Sequence, residues 1–308
     1  MILITEIMDA PAVDSLADLG VDYAPGLVED QPAIPARLAG KRALIVRNRT
    51  QVSASMLATA PDLVCVGRLG VGLDNIDMAA CAARGIEVYP ALGANARSVA
   101  EYVVTTATML WRGAYAANAR VVAGEWPRNA LIGREAAEKT LGLLGFGAIA
   151  RVTAALARAF GMNVIAHDPF IAADEPVWVE IGAEPVSFAA LLARSDALSL
   201  QIPLTDQTRS IIDAAALAAM KPGAVLINAA RGGVLDEDAL VAALRTGRLA
   251  GAAIDTFSQE PLSARDAARF AEVPNLILTP HIAGVTAEAN TRVSTLIAQK
   301  VRARLMQI

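Results

Sequence analysis

Short apolar runs rich in Val, Ile and Leu alternate with Ala-rich stretches along the whole chain, and this alternation restricts the fold more than any other feature. In the first third, residues 2–7, 43–47, 63–67 and 86–89 read as strands, with helix or loop between them. A second series begins at Thr140, with strands expected at 141–144, 163–167, 197–202, 224–229, 251–254 and 276–279. Between the two series lies an Ala/Val-rich segment, 98–122, long enough for an extended helix, and an amphipathic helix is expected over 287–305. Strands that recur singly between helices pair in parallel, each crossover helix covering a sheet face. The expected fold class is therefore α/β, with two doubly wound parallel-sheet domains in a chain of 308 residues.

Composition removes several functional classes. The 27 Lys and Arg are scattered, and the net charge is −4, so no basic arm or stripe exists for nucleic acid. Apolar stretches are broken by Gly, Pro or charge well short of the roughly 20 residues of a membrane span. The first residues, Met1 to Glu6, lack a basic leader and read as a strand, so a soluble, cytoplasmic protein without membrane association is expected. Cys65 and Cys81 fit neither a disulfide framework nor a metal site, and no metal is expected. Cys65, between Val64 and Val66, reads as a core thiol.

After the strand at 141–144 comes Gly145-Phe146-Gly147-Ala148-Ile149-Ala150, then a helical run to Phe160. Such a G-x-G-x-x-G/A turn between strand and helix lets a pyrophosphate approach the backbone at Gly147, while Ala150 allows close helix–strand packing. The helix N-terminus adds N–H donors and partial positive charge. The next strand ends at His167-Asp168, which places an acid where it would accept hydrogen bonds from ribose hydroxyls and repel a 2′-phosphate. NAD is the cofactor this arrangement favours.

Hydride transfer at a hydroxyl-bearing carbon needs an acid/base that works near neutral pH, a group that orients it, and a cation for the substrate. The chain has two histidines. His167 lies at the adenosine end of the glycine motif, whereas His281 directly follows a strand, where open parallel sheets bind ligands. Arg231 and Glu260 likewise follow strands, before Gly232-Gly233 and Pro261. Surface charges would give the same pattern.

The segments Asn228-Ala229-Ala230-Arg231-Gly232-Gly233-Val234-Leu235-Asp236, Asp255-Thr256-Phe257-Ser258-Gln259-Glu260-Pro261 and Pro280-His281-Ile282-Ala283-Gly284 resemble signatures of the D-isomer-specific 2-hydroxyacid dehydrogenases. In the first third, Gly70-Val71-Gly72-Leu73-Asp74-Asn75-Ile76-Asp77 and Asn95-Ala96-Arg97-Ser98-Val99-Ala100-Glu101 are similar to the phosphoglycerate dehydrogenase branch, and residues 46–50 and 67–75 to sulfolactate dehydrogenases. The resemblance implies a Rossmann NAD-binding domain, 98–285, inserted into a flavodoxin-like substrate domain formed by 1–97 and 286–308. It also implies a homodimer or homotetramer associated through the cofactor domains.

By the same resemblance, Arg231 would bind the substrate's carboxylate and carbonyl, His281 would be the acid/base, and Glu260 would pair with it and favour its protonated form. Cofactor contacts would come from Gly145, Phe146, Gly147, Ala148, Ile149, Asp168, Gln201, Pro203, Thr208, Ala229, Ala230, Arg231, Asp255, His281 and Gly284. Of these, Asp255 would meet the nicotinamide carboxamide. Leu69, Gly70, Val71 and Gly72, with Asn95, would face the substrate. Two positions depart from the family pattern: Ala148 where Arg is frequent, and Gln201 where His is frequent. Altered cofactor affinity, not lost activity, is expected.

Arg47, Arg49, Arg68 and Arg128 could form, with Arg231, a cationic pocket for a second anionic group on substrate C3. That points to a small dianionic 2-hydroxy or 2-keto acid such as 3-phosphoglycerate, (S)-3-sulfolactate or malate. Rival readings are a hydroxypyruvate/glyoxylate reductase, an NADH-sensing corepressor-like protein on the same scaffold, and formate dehydrogenase. The last pairs its histidine with Gln, so Glu260 argues against it.

Overall fold

The computed structural model describes residues 1–307. The chain forms two compact units, one made of Met1–Asn95 with the segment from Val285 onward, the other of Ala96–Gly284.

In the first unit, β1 (Ile2–Ile4), α1 (Ala10–Asp14), β2 (Val21–Tyr23), α2 (Ile34–Leu38), β3 (Ala43–Val46), α3 (Ala54–Ala58), β4 (Cys65–Arg68), α4 (Met78–Ala83) and β5 (Glu87–Pro90) follow in order. The five strands are parallel, in the order β2-β1-β3-β4-β5. Every residue of β1, β3 and β4 is buried, as unbroken apolar runs demand when both sheet faces are covered. Cys65 is among them, and burial pushes its thiol up to about 12. Strand β2 is not apparent from the sequence: it is three residues at the sheet edge, partly exposed, with Asp22 at its centre.

The second unit opens with α5 (Ala96–Arg112), whose apolar side is buried. The single helix expected over 98–122 is broken at Gly113, which takes a left-handed φ of 60°; a separate helix, α6 (Asn118–Val122), follows. Then come β6 (Thr140–Leu144), α7 (Ala148–Ala159), β7 (Asn163–His167), α8 (Val177–Ile181), β8 (Glu184–Pro185), α9 (Phe188–Arg194), β9 (Ala197–Leu200), α10 (Ala214–Ala219), β10 (Ala224–Asn228), α11 (Glu237–Arg245), β11 (Leu249–Ile254), α12 (Ala264–Ala267) and β12 (Leu276–Leu278). All seven strands are parallel, in the order β12-β11-β10-β9-β6-β7-β8. The order reverses between β6 and β9, and an open sheet binds its ligand outside the strand C-termini at such a point. Strands expected to run to 229 and 202 stop at Asn228 and Leu200. In the first case the Asn228 side chain accepts from the Ala230 amide and turns the chain away.

The last helix, α13 (Ala287–Met306), returns to the first unit and packs on β4, β5 and α1. A Cβ on Gly67 would lie 2.6 Å from Ile297 Cγ2, so the helix rests directly on the strand's backbone.

Candidate active site

Gly145 adopts φ 94° at the end of β6, and a Cβ there would stand 2.7 Å from the Gln201 carbonyl oxygen. Only glycine fits both constraints. Gly147 differs. Its φ of −74° suits any residue, and nothing lies within 4 Å of where a Cβ would sit. It caps the 12-residue helix α7, so the space above it faces a helix N-terminus. Asp168 Oδ2 accepts from the Phe146 amide at 2.9 Å and Oδ1 from the Phe170 amide at 3.0 Å, which fixes the carboxylate beside the loop. A carboxylate has about four acceptor positions, so two remain for ribose hydroxyls. These residues fit a dinucleotide. Ala148 is exposed at the loop and Ile149 half-buried. His167 Nδ1 is held at 2.9 Å by the Val186 carbonyl. On the other side of the switch point, Gln201 donates to Ser199 Oγ at 2.9 Å, and Thr208 Oγ1 donates to the Pro203 carbonyl at 2.7 Å.

Arg231, Glu260 and His281 follow the neighbouring strands β10, β11 and β12. His281 Nδ1 and Glu260 Oε2 are 2.7 Å apart, and Glu260 Oε1 accepts from the Phe257 amide at 2.9 Å. Burial alone would push the Glu260 carboxyl up. The bonds from His281 and Phe257, with the charges of His281 and Arg231, outweigh it and hold the pKa below the usual glutamate value. Arg231 Nη1 donates to the Ala230 carbonyl at 2.6 Å, and Asn228 Nδ2 to the Arg231 carbonyl at 2.9 Å. A Cβ on Gly232 would collide with the Phe257 carbonyl and the Ser258 amide, so this glycine lets the Arg231 loop lie against the Glu260 loop. Ala229 and Ala230 are half-buried beside it, as is Gly284 beyond His281. Asp255 is fully buried, and its carboxylate accepts from Thr279 and from the Ile282 and Ala283 amides. Three of its acceptor positions are thus used on the turn around His281.

In the first unit, Val46 and Arg68 are partners at the ends of β3 and β4, and Arg47 follows directly. Arg68 is 8% exposed, and its guanidinium fills the space a side chain on Gly70 would need. Arg47 donates to Asn290 Oδ1 at 2.9 Å, its Nε is buried without a partner, and burial pushes its pKa down against the charge of Glu6. Leu69 and Gly70 are buried, Val71 and Gly72 half-buried, and Asn95 Oδ1 is also a buried atom without a partner. Arg49 goes elsewhere: it makes a two-pronged ion pair with Glu29, at 2.5 and 2.7 Å, on the surface. Arg128 belongs to the second unit, in an exposed stretch.

Several supporting residues escape sequence reasoning. Glu6, 5% exposed, accepts from the Arg47, Arg49 and Thr50 amides, and the Asn75 side chain donates to the Arg47 and Thr50 carbonyls. Glu237 on α11 accepts from the Ser258 amide at 2.6 Å and steadies the Glu260 loop. An acid inside an apolar run, as at Glu6, was the one available signal.

Comparison with known proteins identifies the family. Residues 104–283 match the family model "D-isomer specific 2-hydroxyacid dehydrogenase, NAD binding domain". An (S)-sulfolactate dehydrogenase of Chromohalobacter salexigens is 52% identical over 305 residues, covering 99% of this chain and 98% of that one. A D-3-phosphoglycerate dehydrogenase of Mycobacterium leprae is 40% identical over 97% of this chain, which spans only 56% of that relative's length. The structure of a D-lactate dehydrogenase of Aquifex aeolicus complexed with NAD and lactic acid superposes with a TM-score of 0.88 at 27% identity, covering 100% of this chain and 96% of that one. Among the described residues, no helix is long and apolar enough to cross a membrane. The chain belongs to the D-isomer specific 2-hydroxyacid dehydrogenases, and it is an NAD-dependent oxidoreductase acting on the CH–OH group of small 2-hydroxy acids.

Proposed function

We propose that Arg231, Glu260 and His281 carry out the reaction, and that its substrate is a small D-configured 2-hydroxy acid bearing a second anionic group on C3, foremost (S)-3-sulfolactate. The 2.7 Å contact between His281 Nδ1 and Glu260 Oε2 carries the mechanistic reading. With its pKa held low, Glu260 is ionised at neutral pH and can only accept, so Nδ1 is the protonated nitrogen of neutral His281. Nε2 is then the free base. In the oxidative direction it would remove the hydroxyl proton, and bound NAD would supply the hydride acceptor for C2. In the reductive direction, protonated Nε2 returns that proton to the carbonyl oxygen. Arg231 holds the 2-carboxylate and polarises the carbonyl.

Substrate choice rests on the first unit. Arg47 and Arg68 stand at the ends of adjacent strands and would hold the C3 anion, whereas Arg49 is neutralised by Glu29. Sulfolactate is preferred over phosphoglycerate because the sulfolactate dehydrogenase relative is the more similar and matches along nearly its whole length. A D-configured acid is named S when sulfur on C3 outranks the carboxylate, so the two substrates share a handedness. We further place the enzyme in the cytoplasm as a homodimer or homotetramer.

The test is NADH oxidation with 3-sulfopyruvate, 3-phosphohydroxypyruvate, oxaloacetate, hydroxypyruvate and pyruvate, for wild type, Arg47→Ala and Arg68→Ala. Losing a charge-assisted hydrogen bond worth about 1.5–3 kcal/mol should lower kcat/KM for the preferred dianion about 10- to 100-fold, and leave pyruvate nearly untouched. Equal losses on all five substrates would refute the assignment of these arginines.

A further inference from the structure

Tyr102, Thr279 and Asp255 form a line of hydrogen bonds that ends on the turn carrying His281. Asp255 and Thr279 are the first residues beyond Ile254 and Leu278, the paired ends of β11 and β12. Thr279 Oγ1 donates to Asp255 Oδ1 at 2.6 Å, and the Tyr102 hydroxyl, on α5, lies 2.7 Å from Thr279 Oγ1. The threonine's single proton is used on the carboxylate, so the tyrosine must be the donor in the second bond.

The same Asp255 carboxylate accepts from the Ile282 amide through Oδ1 and the Ala283 amide through Oδ2, both at 2.8 Å. On the other side, the His281 amide donates to the Thr279 carbonyl at 3.0 Å. His281 is thus tied on both flanks to Asp255 and Thr279. It also has a left-handed φ of 57°, a conformation unfavourable to a non-glycine residue that persists only where surrounding bonds enforce it. Those bonds are the ones just named.

We propose that Tyr102 and Thr279 are positioning residues of this enzyme: acting through Asp255, they hold His281 in the left-handed conformation that keeps Nδ1 on Glu260. The inference rests on reading His281 as the acid/base. Burial, aided by the charge of Asp255 and only partly opposed by the Thr279 bond, pushes the Tyr102 phenol up to about 12, so the hydroxyl stays a donor throughout the working pH range. Thr279 orients the carboxylate, and Tyr102 orients Thr279 from a helix that precedes it by 177 residues.

The test uses Thr279→Val, Thr279→Ser and Tyr102→Phe, with kcat, KM for the 2-keto acid, NADH affinity by fluorescence quenching and melting temperature measured for each. A displaced acid/base loses rate before it loses binding, by up to about 100-fold for an ångström of displacement. Thr279→Val should therefore lower kcat by about 10- to 100-fold while KM and NADH affinity change less than about threefold. Thr279→Ser, which keeps the hydroxyl, should restore kcat to within about threefold of wild type, and Tyr102→Phe should fall between the two. A Thr279→Val enzyme with wild-type kcat overturns the proposal, as does a Thr279→Ser enzyme no better than the valine variant. His281→Ala measured alongside separates the two readings. Its retained turnover would sink the acid/base assignment itself, whereas a dead His281→Ala beside a fully active Thr279→Val would sink only the relay.

Discussion

At the scale of single residues, Glu260 ties the contact with His281 to acid stability. Its carboxyl has a lower pKa in the folded protein than the ordinary 4.5. The stabilisation it provides is therefore complete above that value and is lost as the pH falls through the lower, folded one. Glu260→Gln should melt below wild type at pH 7, and the gap should narrow progressively as the pH falls below the ordinary 4.5. The same variant should lose at least about tenfold in kcat, since a neutral amide stabilises imidazolium far less than a carboxylate. A melting gap that stays constant from pH 7 down through the whole acid range in which both proteins remain folded would contradict the assignment. That Arg231, Glu260 and His281 lie beyond three strands was readable from the apolar runs before them, while their choice as a set came from the resemblance of the surrounding segments. Tyr102 was not readable: it sits in an Ala/Val-rich helix, and its partner is remote in sequence. No local pattern records such a pairing.

Among the elements, the loop from β6 to α7 shows how two glycines of one motif serve different masters. Gly145 is required by the protein itself, through its φ of 94° and the Gln201 carbonyl, whereas Gly147 has open space around it. Gly145→Ala should cost roughly 1–3 kcal/mol of stability, seen as a depressed melting temperature. Gly147→Ala should melt like wild type and yet bind NADH on the order of tenfold more weakly, because the methyl group occupies the space the pyrophosphate needs. A Gly147→Ala protein of unchanged NADH affinity would separate that space from cofactor binding. The strands themselves were mostly readable from unbroken apolar runs. The two that were missed, β2 and β8, are short edge strands carrying Asp22 and Pro185, and are defined by a neighbour's backbone more than by their own side chains.

For the molecule as a whole, the second unit exposes Tyr115, Val122, Trp126 and Ile132 between α5 and β6, with Trp126 and Ile132 each about four-fifths exposed. Apolar groups clustered in one short stretch favour association between copies of the chain. Light scattering should give a dimer or tetramer mass for wild type, and Val122→Asp with Trp126→Asp should lower it with the melting temperature of isolated subunits preserved. A monomeric wild type would end that reading. Right-handed crossovers narrow the possible strand orders to a few, and β2-β1-β3-β4-β5 in one sheet and the reversal at β6 and β9 in the other are among them. The return of α13 to the first unit does not, since its apolar stripe fits either sheet by periodicity alone.

That return sets an order of events during synthesis. The second unit is continuous in sequence, so it can close as soon as residue 284 is made, while the first unit has been waiting since residue 95 for the helix that covers Gly67 and Cys65. At about 5–20 residues per second, the ribosome takes roughly 10–40 s over the intervening stretch. Throughout that interval α1 alone shields that face of the sheet, and Ile45 and Cys65 lack the cover that Val293, Ile297 and Val301 later give them.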